Sequence, residues 1–173
     1  MTTNRVVCPV CATSIFSWRG PANAKIVVIA DEPVMSDKEK MVTLSGPAGW
    51  VLRNEFDRQN IDLFSCRIGY LYYHDMPTGK EGELCRNTSA EEAIKELNNP
   101  NRKAVFLMGS KCSKFFLNIG IDTVSSLRVT SSYIQCKHII ASISALNVLS
   151  GTVGELRLSV RNLKIMLDEI GVE

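Results

Sequence analysis

KIVVIA, residues Lys25 to Ala30, is a short apolar run that contains several β-branched side chains. A run of this length and composition predicts a buried strand. Three later runs have the same character: CRIGYLYY (66–73), KAVFLM (103–108) and KHIIASI (137–143). We therefore expect four strands that belong to one sheet.

The stretches between these strands carry helical signals. Apolar residues in AGWVLRNEFDRQN (48–60) recur at roughly helical spacing, and SKCSKFFLNIG (110–120) predicts a short helix that ends at its glycine. TSAEEAIKEL (88–97) opens with cap residues, and VGELRLSVRNLKIMLDEIG (153–171) is amphipathic. Strands that alternate with helices favour a three-layer α/β/α fold around a central, mainly parallel, four-stranded sheet.

The loops that follow the four strands are the expected place for function. In sheets of this class, ligands bind beyond the carboxyl ends of the strands. The loops after the first two strands, 31–47 and 74–87, are long and polar. The functional residues should therefore come from several loops that meet at one edge of the sheet.

Composition narrows the class of protein. The chain has 173 residues, 45% of them hydrophobic, which suits a single domain over residues 1–173. Its formal charge of +2 allows a local basic patch but no strongly basic surface. No apolar run is long enough to cross a membrane, and the first residues do not resemble a secretion signal, so we expect a cytoplasmic protein without a membrane partner.

The cysteines favour metal binding. CPVC, at residues 8–11, precedes the first strand, and two cysteines at this spacing are typical of half a metal site. Six cysteines in a cytoplasmic chain favour metal ligation or free thiols over disulfides. We expect residues 1–20 to form an N-terminal segment that supplies metal ligands, although free thiols on a loose terminus are the simpler alternative.

An ordered set of motifs resembles the uracil-DNA glycosylase superfamily, most closely its iron–sulfur branch, family 4. That branch shows C-x-x-C, G-E-x-P-G, G-x-A-G, N-V-V-K-C-R-P-P, a further cysteine, A-L-G and H-P-S in this order. After CPVC, this chain has VVIADEPV (27–34), GPAG (46–49), GYLYYHDMP (69–77), Cys85, FLMG (106–109) and HIIASISAL (138–146). The resemblance covers nearly the whole chain and implies a DNA-binding α/β/α protein.

The first strand-end motif carries the acidic residue of the family. The resemblance places Asp31 at the position of the family glutamate, with Glu32 beside it. A carboxylate there can position water or stabilise the cationic sugar that forms as a base departs. Val34 replaces a family glycine, and a solvated acidic turn is the alternative interpretation of these carboxylates.

The residues equivalent to the uracil pocket all differ from the family. Leu44, or alternatively Thr43, stands where the family has an aromatic ring that stacks on the flipped base. Tyr70 replaces the asparagine that binds the base edge. Ile143 and Ser144 occupy the place of the histidine motif. The loss of all three groups suggests that uracil is not the substrate.

The resemblance also completes the metal site. It places the third ligand at His74 and the fourth at Cys85, so that Cys8, Cys11, His74 and Cys85 form a Cys3His set. Cys66 competes with His74 for the third position. The family implies a 4Fe-4S cluster held by thiolates, whereas three cysteines and a histidine also suit tetrahedral zinc. The residues alone do not separate the two cofactors, and the resemblance favours the 4Fe-4S cluster, with zinc as the alternative.

Four polar residues are candidates for DNA binding. Lys80 lies in the loop near the expected metal site, and Ser110, Lys111 and Lys114 open the helix after the third strand. Backbone N–H groups and lysines at a helix start can bind phosphate. An equally good interpretation is that these lysines face solvent and bind nothing.

Two functional hypotheses of different class follow. The first is a protein that has lost uracil excision and acts as a DNA-binding or protein-interaction component of replication or repair. The second is an active DNA glycosylase of altered base specificity, which uses Asp31 or Glu32 together with Tyr70. A third possibility is an α/β domain with a zinc site and a binding function unrelated to that of glycosylases.

Overall fold

The computed structural model describes residues 6–118, 128–129, 131–136 and 138–172. The elements follow in chain order as β1 (Ile26–Ala30), α1 (Met35–Lys40), α2 (Pro47–Arg58), a 3₁₀ helix (Leu63–Ser65), β2 (Arg67–Tyr70), α3 (Gly79–Leu97), β3 (Ala104–Met108), α4 (Ser110–Leu117), β4 (Arg128–Val129), β5 (Ile139–Ser142), α5 (Ala145–Leu149) and α6 (Val153–Glu169).

The sheet has the strand order β2-β1-β3-β5-β4. The four predicted strands, β1, β2, β3 and β5, pair in parallel, and Val28 of β1 stands between Ile68 of β2 and Phe106 of β3. The prediction of a central, parallel, four-stranded sheet is confirmed. The sequence did not predict β4, a two-residue strand that pairs antiparallel with β5 at one edge.

Helices cover both faces of the sheet. Successive side chains of a strand point to opposite faces, and Val28 packs in a core with residues of α2 and α6, whereas Val27 packs with residues of α3 and α4. All five residues of β1 are buried, as expected for a strand covered on both sides. The predicted three-layer α/β/α fold is therefore confirmed. Among the described helices, none is long and apolar enough to cross a membrane.

Helix α3 begins at Gly79, well before the predicted start at Thr88, so the prediction of a loop over 74–87 was wrong in its second half. Thr88 and Ser89 do not cap the helix. The hydroxyl of Thr88 instead donates to the carbonyl of Leu84 one turn earlier, as such residues commonly do inside helices. The hydroxyl of Ser89 donates to the carbonyl of Leu71, just after β2. The early start places Cys85 within α3.

The other helix boundaries lie closer to the predicted ones. The predicted loop 31–47 contains α1, and α4 ends at Leu117, where Asn118 adopts a left-handed conformation with φ of 54°. The glycine predicted to end this helix, Gly120, lies outside the described residues, as does Lys137 at the start of the fourth strand run.

The N-terminal segment lies along the free edge of β2. The backbone N–H of Arg19 donates to the carbonyl of Ile68, and the N–H of Ile68 donates to the carbonyl of Arg19, both at 2.9 Å. Further along, the N–H of Phe16 donates to the carbonyl of Tyr73 at 2.8 Å. These bonds satisfy an edge strand that would otherwise expose its backbone groups, and they lead the segment to the carboxyl end of β2.

Candidate metal centre and adjoining cleft

Four side chains from three parts of the chain form one compact group. Cys8 and Cys11 come from the N-terminal segment, His74 follows β2, and Cys85 comes from α3. Their ligating atoms all lie within 4.8 Å of one another. The Sγ atoms of Cys8 and Cys85 are 3.8 Å apart, and the Sγ of Cys11 is 3.5 Å from Nε2 of His74. This group, which is the predicted one, could bind a metal ion.

Local hydrogen bonds shape the two halves of the group. The N–H of Cys8 donates to the carbonyl of Thr13, and the N–H of Ala12 donates to the carbonyl of Cys8, which closes a tight turn around the two cysteines. On the other side, the hydroxyl of Ser89 donates to the carbonyl of Leu71 and accepts from the N–H of Tyr73. The strand end that carries the histidine is thereby fixed to α3.

The imidazole of His74 is oriented for ligation. Its Nδ1 lies 2.7 Å from the carbonyl oxygen of Asp75. Because a carbonyl oxygen only accepts, Nδ1 carries the proton and Nε2 presents its lone pair toward Cys11. A second hydrogen bond of this kind commonly fixes the tautomer of histidines that bind metals.

The thiols of the group differ in acidity. Burial acts to raise the pKa of Cys8, but the backbone N–H groups of Cys11 and Val10, with His74 and Tyr73, lower it to about 6. Burial and the neighbouring thiols of Cys11 and Cys8 raise the pKa of Cys85 to about 12. Without a cation, one thiolate thus opposes the ionisation of the next, and a bound metal ion would remove that repulsion.

Most of the group is closed to solvent. Cys8, His74 and Cys85 are each no more than 2% exposed, whereas Cys11 is partly exposed. Val10, Ile15 and Met76 pack against the same cluster, together with the ring of Tyr73, whose hydroxyl lies 3.7 Å from Sγ of Cys8. A closed site with four protein ligands is typical of structural rather than catalytic metal centres.

The remaining cysteines lie elsewhere. Cys66, the alternative third ligand, is buried at the start of β2, where its thiol faces the carbonyl of Asp62 at 3.5 Å. Burial raises its pKa to about 12. Cys112 is buried in α4, and Cys136 is partly exposed. Within the described part of the chain, the metal-ligand group contains His74 and not Cys66.

A cavity of about 390 Å³ lies at the carboxyl ends of β1, β3 and β5. Five residues that the sequence singled out line it, namely Asp31, Glu32, Ser110, Lys111 and Ser144. They come from three different strand-end loops, which parallel pairing brings to one edge of the sheet. We call this space the strand-end cavity.

The carboxylate of Asp31 is held by the start of α4. It accepts a hydrogen bond of 2.7 Å from the backbone N–H of Cys112. Gly109 makes this approach possible, because a Cβ there would lie 2.2 Å from the carboxylate carbon of Asp31. Burial raises the pKa of Asp31, and the N–H groups of Cys112 and Lys111 oppose that rise. Much of the hydrogen-bonding capacity of this carboxylate is therefore used within the protein.

The equivalents of the uracil pocket lie mostly in the core. The hydroxyl of Tyr70 donates to Oδ2 of Asp37 at 2.6 Å and accepts from the N–H of Leu44 at 3.0 Å. The other carboxylate oxygen of Asp37 accepts from the N–H of Gly46 at 2.7 Å. All three side chains in this network are at most 2% exposed. Neither Leu44 nor Tyr70 lines the strand-end cavity.

The histidine-motif positions separate in the structure. Ile143 is buried among apolar residues, whereas Ser144 lines the strand-end cavity. The hydroxyl of Ser144 accepts a hydrogen bond of 3.2 Å from the N–H of Asn147 and so caps α5. Thr43, the alternative to Leu44, is also buried, and its hydroxyl donates to the carbonyl of Ser17 at 3.0 Å.

A second cavity, of about 590 Å³, lies beside the first between α4 and α3. We call it the basic–aromatic cavity, since three cations and two aromatic rings line it: Arg86, Lys111, Lys114, Tyr72 and Phe115. Glu32 and Lys111 line both cavities, and their ion pair, at 2.5 Å, stands between them.

Of the cations and rings that line the basic–aromatic cavity, the sequence identified Lys111 and Lys114 as candidates and missed the other three. Lys111, Lys114 and Phe115 are spaced by three and four positions, which places them on one face of α4, and this spacing could have identified the ring. Arg86 lay in a stretch predicted to be a loop. Lys80, the remaining DNA-binding candidate, is exposed in the first turn of α3 and lines neither cavity.

No protein-family model and no curated protein matches the chain. Its resemblance to uracil-DNA glycosylases therefore rests on the ordered motifs, and its function must be argued from the two cavities and the metal-ligand group.

The network around Tyr70 yields a test of stability. Tyr70→Phe leaves the N–H of Leu44 and one oxygen of Asp37 without their partner, and both groups stay buried. We expect a loss of about 1 to 3 kcal/mol in the free energy of unfolding, measured by urea denaturation. Tyr133→Phe, at a ring that is 49% exposed, is the matched control and should change little. If Tyr70→Phe is as stable as Tyr133→Phe and the unaltered protein, the hydrogen-bonded network contributes nothing to the free energy of unfolding.

Proposed function

We propose that this protein binds DNA at the carboxyl edge of its sheet and does not excise uracil, with a tetrahedral metal centre that stabilises the binding surface. One observation carries the proposal: Arg86, Lys111 and Lys114 surround a cavity that also contains Tyr72 and Phe115. Cations that track phosphates, combined with rings that stack on bases, are the two components of nucleic-acid binding without strong sequence preference.

The charge of the surface supports this proposal. Lys111 is paired with Glu32, which among the described residues is the one carboxylate that lines the basic–aromatic cavity. Arg86 and Lys114 have no ion pair within residues 6–118, 128–129, 131–136 and 138–172. Two uncompensated cations beside one cavity attract a phosphodiester, even though the whole chain has a charge of only +2.

The buried network argues against uracil excision. A flipped base needs an open pocket with a stacking ring and hydrogen-bonding groups that face it. Tyr70 and Leu44 stand at two of the family positions. In the core, the backbone N–H of Leu44 donates to the hydroxyl of Tyr70, which donates in turn to Asp37. We therefore assign the protein a binding role, such as that of a DNA-binding component of replication or repair.

The distances within the metal-ligand group favour a single zinc ion. Zinc–sulfur bonds of about 2.3 Å in a tetrahedron separate two sulfurs by about 3.8 Å, and the Sγ atoms of Cys8 and Cys85 are 3.8 Å apart. A 4Fe-4S cluster carries each ligand on a different iron, so its ligand atoms lie farther apart than those of one ion. The Cys3His donor set suits zinc equally well.

The metal would act through the loop that it holds. His74 lies between Tyr72 and Met76, which both line the basic–aromatic cavity. A metal bound to Cys8, Cys11, His74 and Cys85 would fix this loop against α3 and the N-terminal segment. We therefore propose a structural role for the metal, and no reaction step depends on it.

Metal analysis tests the metal assignment. The purified protein should contain one equivalent of zinc and lack the absorption near ~400 nm of thiolate-bound iron–sulfur clusters. Cys85→Ser should reduce zinc content and lower Tm by several degrees, since each 1 kcal/mol of lost stability corresponds to roughly 2 to 4 °C in a chain of this size. A brown, iron-containing protein would instead establish the cluster.

Cys136→Ser is the control for the metal experiment, because this cysteine lies outside the group and its thiol donates to the carbonyl of Lys103. A serine hydroxyl can donate the same bond. If both variants keep the zinc content and Tm of the parent, the four residues do not hold the metal.

Salt-dependent binding tests the DNA proposal. Arg86→Ala and Lys114→Ala should each weaken binding of fluorescein-labelled DNA severalfold, as measured by fluorescence anisotropy. Each should also reduce the slope of log K against log salt by about 0.7 to 0.9, the value for one lost phosphate contact.

Lys25→Ala is the matched control, since this exposed lysine precedes β1 and lies at the opposite edge of the sheet. It removes the same charge but should leave affinity and salt slope nearly unchanged. An equal effect of all three variants would indicate nonspecific attraction, and no binding by the metal-loaded parent would overturn the proposal.

Excision of another base is the second candidate function, because Asp31 and Glu32 line the strand-end cavity and burial raises the pKa of Asp31, a property common at functional sites. We expect no abasic product from single- or double-stranded DNA that contains uracil or damaged bases. Release of a base that Asp31→Asn abolishes, while the distant Asp168→Asn leaves it intact, would establish a glycosylase instead.

A further inference from the structure

We propose that the basic–aromatic cavity is a stacking subsite for one unpaired nucleotide of single-stranded DNA, with the base on Phe115 and Tyr72 and the flanking phosphates on Arg86 and Lys114. This inference rests on the proposed DNA-binding function and specifies the form of DNA that is bound. It places the ligand outside the strand-end cavity.

The ring of Phe115 is held in a defined orientation. It stacks on the ring of Tyr133 with centroids 5.5 Å apart and an interplanar angle of 25°. The ring of Phe116 meets it edge-on at 4.9 Å. Phe115 is only partly buried and also lines the cavity. A ring that is fixed by its neighbours and still borders open space can stack on a base at little cost in conformational entropy.

Tyr72 supplies a second aromatic wall. Its backbone N–H donates to the carbonyl of Asp31 at 3.0 Å, which fixes its position just beyond the end of β2. The side chain is partly buried and borders the same cavity as Phe115. Arg86 and Lys111 line the same cavity as this ring. Aromatic and cationic groups therefore meet within the space of one nucleotide.

The two unpaired cations are placed to bind the backbone of the strand. Arg86 reaches the cavity from α3 and Lys114 reaches it from α4. Lys111 is engaged by Glu32, so the cations without a partner among the described residues lie on two different elements. A phosphodiester on each side of a stacked base would satisfy both charges.

The size of the cavity suits a single unpaired base. Its volume of about 590 Å³ falls within the range of about 300 to 1,000 Å³ that is typical of sites for small molecules. A base inside a duplex is stacked on both faces and must be extruded before a protein ring can stack on it. A single strand offers the face of the base without that cost, so it should bind more tightly than a duplex of the same length.

Photocrosslinking of the unaltered, zinc-loaded protein tests the contact directly. A short oligodeoxynucleotide with 5-iododeoxyuridine at one position is irradiated with the protein, and the crosslinked residue is identified by mass spectrometry. We expect the crosslink at Phe115 or Tyr72. Crosslinks confined to Trp50 or Phe64, which are exposed elsewhere on the surface, would overturn the assignment of the subsite.

Affinity measurements provide the second test. Phe115→Leu should weaken binding of a short oligothymidylate about fivefold or more, the lower end of what one base–aromatic stack contributes, with a smaller effect on duplex DNA. Phe64→Leu is the matched control, because Phe64 is also an exposed ring beside a cation, Arg53, at 4.6 Å. It should bind like the parent.

The outcomes separate this inference from the proposed function. Equal binding of duplex and single strand, with no effect of Phe115→Leu, overturns the stacking subsite but leaves DNA binding intact. No binding of either form overturns both. Tighter binding of an oligouridylate RNA of the same length overturns the assignment to DNA. If Phe115→Leu lowers Tm as well, the crosslink in the unaltered protein decides whether Phe115 contacts the base.

Discussion

Parallel pairing of four buried strands is the constraint on which the rest of the structure depends. It requires the chain to cross the sheet after each strand, so the loops after β1, β2, β3 and β5 all meet at one edge. The strand-end cavity, the basic–aromatic cavity and the metal-ligand group lie together at that edge. Nothing in the local sequence of any single loop could place these three features side by side.

The metal-ligand group complements this arrangement at the free side of β2. The N-terminal segment has no strand or helix among residues 6–25 to hold it by repeated hydrogen bonds, and instead uses a few backbone bonds to β2 and the cluster of Cys8, Cys11, His74 and Cys85. Three of the group's four members are buried, and its thiols differ in acidity, which suits a cation that replaces protons. The group brings together three parts of the chain: the N-terminal segment, the loop after β2 and α3.

The two sides of the carboxyl edge differ in how their polar groups are used. On one side, the hydroxyl of Tyr70 bonds to Asp37 and to the backbone N–H of Leu44 in the core, so these groups do not face an open pocket. On the other side, Arg86 and Phe115 border open space. Buried polar groups are stable only when they are fully paired, whereas cations beside a cavity remain free for a partner. This contrast is the physical basis for proposing that the protein binds DNA and does not excise uracil.

The sequence by itself determined the four buried strands, the α/β/α class and, through its resemblance, the four members of the metal-ligand group, because apolar runs and motif spacing are local properties. The tertiary structure decided the start of α3, the antiparallel β4 and the choice of His74 over Cys66. It also decided that Tyr70 is bound in the core and that Arg86 meets Phe115. These features depend on contacts between residues far apart in the chain, which packing and strand register create and which local propensity does not encode.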